Sequence, residues 1–298
     1  YSQTDKGIIP EYVDALYAER VVNKNKMMEL ERQNSIIPKN SNEYEQNKVQ
    51  IEQLDIIQYT LKILLNSIYG VFANKNSAFY DIDHAASITL TGQTVIKESS
   101  AIADAYIKTK YNAVGNSYIY SDTASSHLSM RPLLTAIGET LLDADGKIKA
   151  VAYEKANELQ EVINKGITEW SARVLHSIDP RFFFKREAIC PVAIYQSKKH
   201  YILHVKDKGE SVPVPCDYIK YVGVEVVKST MSSEVKKLIK SVVESIVYTK
   251  SKKGTDAVYR KAYVTFKALP IEAIAFRSKI TDYEKYAKNA KGMYIGKG

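Results

Sequence analysis

The chain is poor in cysteine: Cys190 and Cys216 are its only two. Two thiols cannot build a disulfide framework, and theirs is not the spacing of a metal-ligand pair, so a reducing cytoplasm is the expected setting. No apolar run reaches the roughly 18 residues that a membrane span needs, and no basic segment followed by an apolar one marks a secretory signal. The expectation is a chain without a membrane. Internal repeats and long low-complexity stretches are missing as well. At 298 residues the chain can bury a sizeable core, as one large domain or as two to three smaller lobes. It opens on Tyr1 and closes on Gly296-Lys297-Gly298, which reads as a piece of something longer.

Acidic residues are also in deficit, 34 against 42 basic ones, and the deficit is local. From Lys228 to Gly298 there are 16 basic and 6 acidic residues, a net +10, whereas the first 227 residues hold 26 basic and 28 acidic. A segment more positive than the whole chain points to a phosphate-rich partner, because neutralising phosphates releases condensed counterions. A solvated lysine-rich surface is the alternative on charge alone.

The organisation is a helical hairpin, an α+β middle and a basic helical tail. Pro10 opens a helical pattern that continues to about Gln33. The turn formers Pro38 to Asn42 follow, and a second helix from about Glu43 to Tyr69 is expected to stop at Gly70. A third pattern runs from Asp83 to about Lys108, and another from about Val151 to Ile178. Strand-like runs cover Ser117–Tyr120, Ser126–Met130, Arg181–Phe184, Val192–Tyr195 and Tyr201–Val205. From Ser232 the pattern is helical again.

Lys62, Asn66 and Tyr69 follow i, i+4, i+7 spacing and so share one stripe of the second helix. An ammonium, an amide and a phenol in that order can meet a triphosphate, a sugar and a base edge. By spacing alone they could equally be the polar face of an ordinary amphipathic helix. Arg20 and Lys24, four apart on the first helix, could likewise be a solvated basic face. Between the first two strand-like runs lies Tyr120-Ser121-Asp122-Thr123-Ala124-Ser125, an acidic residue held at a hairpin turn.

Taken together these motifs resemble family B DNA polymerases, in particular the replicative enzymes of large tailed bacteriophages. Lys62 to Gly70 is similar to the family's K-x-x-x-N-S-x-Y-G fingers motif, Gly7-Ile8-Ile9-Pro10 to its G-I-I-P entry, and Tyr120 to Ser125 to its Y-x-D-T-D-S hairpin. Lys185-Arg186-Glu187-Ala188 resembles a D-R-E-A segment, Lys198-Lys199-His200-Tyr201 a K-K-x-Y element, and Gly223 to Thr230 the G-L-E-x-x-K-S-S lead into the thumb. The resemblance implies a right-hand architecture: helical-hairpin fingers at 1–76, an antiparallel-sheet palm flanked by helices at 77–222, and the beginning of a mainly helical thumb at 223–298. It implies nucleotide binding by Arg20, Lys24, Lys62, Asn66, Ser67 and Tyr69. Lys198, Lys199, Tyr201 and Lys228 would contact DNA.

The implied chemistry is nucleotidyl transfer from a deoxynucleoside triphosphate to a primer 3′-hydroxyl, with two Mg2+ ions held by carboxylates. Here the sequence departs from the family, because Ala124 stands where the second, metal-binding aspartate belongs. Asp122 and Glu187 are the remaining candidate ligands, and neither is expected to replace the missing pair. Glu187 could instead be a surface carboxylate paired with Arg186 or Lys185. The S-L-Y-P-S strand with the upstream aspartate is not in this sequence. The expected chain therefore holds primer–template DNA and nucleotide but scarcely joins them. A second chain or a missing N-terminal portion would supply the upstream aspartate and an exonuclease, and a sliding clamp is a further candidate partner. The alternative is a non-catalytic DNA-binding or scaffolding subunit derived from a polymerase. For a phage-encoded chain the setting would be the host bacterial cytoplasm.

Overall fold

A proline in the first turn and a serine cap set the two opening helices. The computed structural model describes residues 7–209, 213–249 and 251–276, with two short strands beyond them. Helix α1 (Ile8–Ile36) carries Pro10 in its first turn, where a missing N–H leaves no helical bond unmade. Helix α2 (Asn42–Ala73) is capped by Ser41, whose Oγ accepts the Tyr44 N–H at 3.1 Å. The two helices pack on each other around Leu16, Leu54 and Leu61, and the Asn34 amide donates to the Tyr44 carbonyl at 3.2 Å across their connection.

Helix α2 does not stop at Gly70 as expected. Its Gly70 carbonyl accepts the Asn74 N–H at 3.0 Å, and the helix runs through Val71 and Phe72. A helical glycine costs only about 1 kcal/mol relative to alanine, too little by itself to end a long helix. The reading that no run is long and apolar enough for a membrane span also needs correcting. Among the described residues α2 alone is long and apolar enough to cross a membrane by length and composition. It also packs along α1 and presents Lys62 and Asn66 at its surface.

The described chain then runs through α3 (Ile82–Tyr111), the hairpin β1 (Tyr118–Asp122) and β2 (Ser125–Leu128), α4 (Arg131–Ala136) and α5 (Ala150–Val174). Buried Leu159, Ile163, Ile167 and Trp170 recur at i, i+4, i+8 and i+11, which puts one apolar stripe along α5. Strands β3 (Val192–Ser197), β4 (His200–Asp207) and β5 (Pro215–Val222) make a three-stranded antiparallel sheet with β4 central. On β4, Tyr201, Leu203, Val205 and Asp207 are buried at period two, although His204 is buried as well. Helices α6 (Ser233–Glu244), α7 (Lys252–Ala268) and α8 (Ile271–Ile274) follow, with a π-helical turn at Ser245–Thr249. The strands β6 (Ala287–Lys288) and β7 (Tyr294–Ile295) pair with each other.

Three strand readings change. Arg181–Phe184 is irregular chain, because Arg181 is held by side-chain bonds and no neighbouring strand pairs with the run. Strand β5 went unread, and the expected single palm sheet is two sheets, one made of β1 and β2 alone. The α+β class stands. The chain forms two compact units: Tyr1–Tyr106 with Tyr118–Leu128 and Val162–Phe183, and Ile107–Ser117 with Ser129–Glu161 and Phe184–Gly298.

Candidate functional site

In the first unit, α1 and α2 carry the basic and polar residues singled out above. Lys62, Asn66, Ser67 and Tyr69 are all exposed along α2, and the Ser67 hydroxyl donates back to the Ile63 carbonyl at 2.8 Å. On α1, Arg20 and Lys24 are half-buried, and the Arg20 Nε is buried without a hydrogen-bond partner. The structure thus gathers all six nucleotide-binding candidates onto one helical hairpin.

The same unit holds the β1–β2 turn. Asp122 pairs with Ser125 and leaves Thr123 and Ala124 at the tip. The Ala124 N–H donates to the Asp122 carbonyl at 2.6 Å, a γ-turn bond, with Thr123 at φ 54°. Positive φ in a β-branched residue is strained backbone, and such strain concentrates at functional turns. The Thr123 hydroxyl donates to Asp122 Oδ1 at 3.1 Å, and Ser125 Oγ to the Asp122 carbonyl at 3.2 Å. Tyr120 packs edge-on against His127, ring centroids 5.4 Å apart. Asp122 is half-buried and Ala124 exposed.

In the second unit, Glu187 is exposed and makes neither a hydrogen bond nor an ion pair among the described residues. The suggested pairing with Arg186 is therefore not what forms. Arg186 turns inward instead and pairs with the fully buried Asp207. Its backbone N–H donates to Gln160 Oε1 at 2.5 Å, its Nε to Asn157 Oδ1 at 3.4 Å, and its guanidinium lies 5.5 Å from the Tyr153 ring centre. Lys198 and Lys199 form the exposed tip of the β3–β4 turn, with Lys199 at φ 63°. Tyr201 is buried against Tyr195 and so props the turn from beneath; its placement is not that of a side chain on an open DNA-contacting surface. Lys228 is exposed and bonded to Glu225 Oε1 at 2.5 Å.

On β5, Asp217 accepts from His204 Nε2 at 2.8 Å, Lys206 Nζ at 2.9 Å and the Tyr248 hydroxyl at 3.2 Å. Burial pushes the Asp217 carboxyl up, but the bonds from His204 and Lys206 outweigh it and hold the group below the usual carboxylate range. A depressed folded-state value means the contribution is complete above the unfolded value of about 3.9 and is lost as pH falls through the folded one. Asp217 is 48 % exposed, so the contribution is below about 1 kcal/mol. Urea unfolding at pH 5 and pH 2.5 should show a small loss at the lower pH, and Asp217→Asn should shrink that difference.

The family model for DNA polymerase family B matches residues 1–291. The chain belongs to DNA polymerase family B. It is 24 % identical over 201 residues to the DNA-directed DNA polymerase of Escherichia phage RB69, an alignment covering 64 % of this chain and 22 % of that protein. It is 22 % identical over 245 residues to that of Enterobacteria phage T4, covering 77 % and 26 %. The DNA polymerase alpha catalytic subunit of Dictyostelium discoideum is 28 % identical over 124 residues, covering 42 % and 7 %. The chain thus spans about a quarter of the length of its phage relatives.

Family B polymerases are generally metal-dependent, so the residues present need testing against a pair of Mg2+ ions. They do not fit on their own. Among the described residues no three His, Cys, Asp or Glu side chains gather as a metal site, and the position beside Asp122 that could double the turn's charge is a methyl group. Hard divalent ions need several converging oxygen ligands. A cleft of about 410 Å3 in the first unit is lined by Glu98, Ile102, Gly166, Glu169, Trp170 and Arg173, none of them a predicted site residue. Reasoning from sequence missed Asp14, Arg181 and Asp207. No local signal marks them, since their partners lie 167 and 21 residues away.

Proposed function

We propose that this family B chain is the substrate-holding core of a template-directed DNA polymerase, with fingers at 1–76, palm at 77–222 and the start of the thumb at 223–298 in a right-hand arrangement. The observation that carries the reading is the exposed stripe of Lys62, Asn66 and Tyr69 on α2, on the same helical hairpin as Arg20 and Lys24. Cationic groups along one helix can hold a triphosphate, and the amide and phenol beside them can meet the sugar and base of a deoxynucleotide. Lys198 and Lys199 at a tight turn, Lys228 and the basic α6–α7 region suit a DNA backbone, since phosphate contacts position DNA without reading sequence.

The chain as it stands holds these substrates without joining them, because Ala124 replaces a carboxylate where the family's hairpin has one. No chemical step is assigned to Asp122 or Glu187 through a metal. Carboxylates, and an exonuclease if there is one, would come from a further polypeptide segment or a second chain, with a sliding clamp as a further partner and a host-cell cytoplasm as the setting. The same missing ligands support a second reading, a non-catalytic DNA-binding subunit derived from a polymerase.

Titration with a fluorescent deoxynucleoside triphosphate should separate a nucleotide grip from a plain polar helix face. Lys62→Ala should weaken binding about tenfold, the value of one charge-assisted bond of roughly 1.5 kcal/mol, and Lys62→Arg should retain most of it. Unchanged affinity in Lys62→Ala would refute the fingers assignment. Ala124→Asp, mixed with a chain carrying the upstream aspartate, should gain Mg2+-dependent primer extension. Intact DNA binding with no extension would favour the non-catalytic reading.

A further inference from the structure

We infer that Asp14 and Arg181 form an ionic latch that sets the position of the α1–α2 hairpin, which makes Arg181 a positioning residue for whatever that hairpin grips. The latch rests on geometry, and its consequence for nucleotide rests on the reading above. Arg181 Nη1 donates to Asp14 Oδ1 at 2.6 Å across 167 residues of sequence, and its Nε donates to Asp179 Oδ2 at 3.0 Å. The guanidinium is a rigid fork. Asp179, two residues away on the same segment, therefore holds it in the orientation that meets α1.

The hairpin needs such a hold. Helices of 29 and 32 residues reach roughly 43 and 48 Å. Along them only Leu16, Leu54 and Leu61 are buried among the described residues, so little apolar packing fixes the angle at their root. At the end of α2 the root is tied by the Asp81 N–H to the Phe72 carbonyl at 3.0 Å and by His84 stacked on Phe72, ring centroids 5.7 Å apart. Asp14 ties the other helix six residues from its start. Of these ties, the one on α1 is ionic. Release of that tie leaves the hairpin hinged near Phe72. Arg20 and Lys24 lie roughly 9 and 15 Å farther along α1 from Asp14, so a swing at the latch displaces both.

The pair is exposed, 62 % for Arg181 and 33 % for Asp14. An exposed pair shifts an equilibrium by no more than about fivefold and is screened by salt. The latch is therefore a reversible bias and does not lock the hairpin.

Spin labels at Lys39→Cys, near the tip of the hairpin, and Lys165→Cys, on α5, would report the hairpin's position by double electron–electron resonance in a Cys190→Ser/Cys216→Ser background. The expected parent distribution has one dominant distance at low salt. Arg181→Ala should enlarge a second population two- to fivefold, and 1 M salt should do the same to the parent. The reversal Asp14→Lys/Arg181→Glu, made with Asp179→Asn so that no carboxylate repels the new glutamate, should restore the parent distribution, which Asp14→Lys alone should not. Unchanged distances in Arg181→Ala, with or without a lower melting temperature, would overturn the latch, as would failure of the reversal. Deoxynucleotide dissociation should quicken two- to fivefold in Arg181→Ala. If no variant binds nucleotide while the distances shift as expected, the latch stands and the nucleotide reading fails.

Discussion

Arg186→Met is expected to destabilise the second unit by about 3–5 kcal/mol, the usual cost of stranding one member of a buried ion pair. Asp207 has no exposed surface, and four groups converge on it. Its Oδ1 accepts the Val214 N–H at 2.6 Å and the Tyr153 hydroxyl at 3.5 Å, while its Oδ2 accepts the Gly209 N–H at 3.1 Å and Arg186. Methionine fills much of the space but brings no charge, so the carboxylate stays buried without its counter-ion. Asp207→Asn in the Arg186→Met background should recover part of the loss, because a neutral amide costs less to bury and its oxygen still accepts from Val214. A double variant less stable than Arg186→Met alone would show that the pair contributes little. The change should also reach Glu187, since Arg186 anchors the preceding residue of the Lys185–Ala188 segment.

Gly223→Ala should cost about 3 kcal/mol or more and lower the melting temperature by several degrees. Two effects add. Gly223 has φ 65°, a left-handed conformation that alanine adopts only at a cost of about 1 kcal/mol or more. A Cβ there would also lie 2.0 Å from the Lys199 carbonyl oxygen, a backbone atom that cannot rotate away. Relief requires moving either the end of β5 or the Lys198–Lys199 tip. The variant should therefore lose DNA affinity beyond what its stability explains, which filter binding well below the melting temperature would measure. Full affinity together with a lower melting temperature would mean either that the end of β5 gives way in place of the tip or that the lysine tip does not contact DNA.

How much was legible beforehand depends on the range of the interaction. The α1–α2 hairpin, the stripe from Lys62 to Tyr69 and the turn at Asp122 follow from near-neighbour rules of helix periodicity, capping and turn preference. Gly70 does not end α2, because glycine's cost of about 1 kcal/mol is small against the rest of a 32-residue helix. Arg181–Phe184 looks like a strand by composition, but a strand needs a partner, and none lies beside it. Strand β5 starts at Pro215 and alternates polar with apolar residues only weakly, and it forms because β4 is there to pair with. Tyr201 read as a DNA contact by motif. Burial against Tyr195 is a property of the folded sheet.

Local sequence was therefore enough for the α+β class, the long helices and the family, each encoded within a helix, a turn or a short motif. The rest depended on side chains brought together over long separations. Asp14 meets Arg181, Asp207 takes Arg186 away from Glu187, and Gly223 passes against Lys199. Burial and close approach are decided where distant segments meet, and no window along the chain contains both partners.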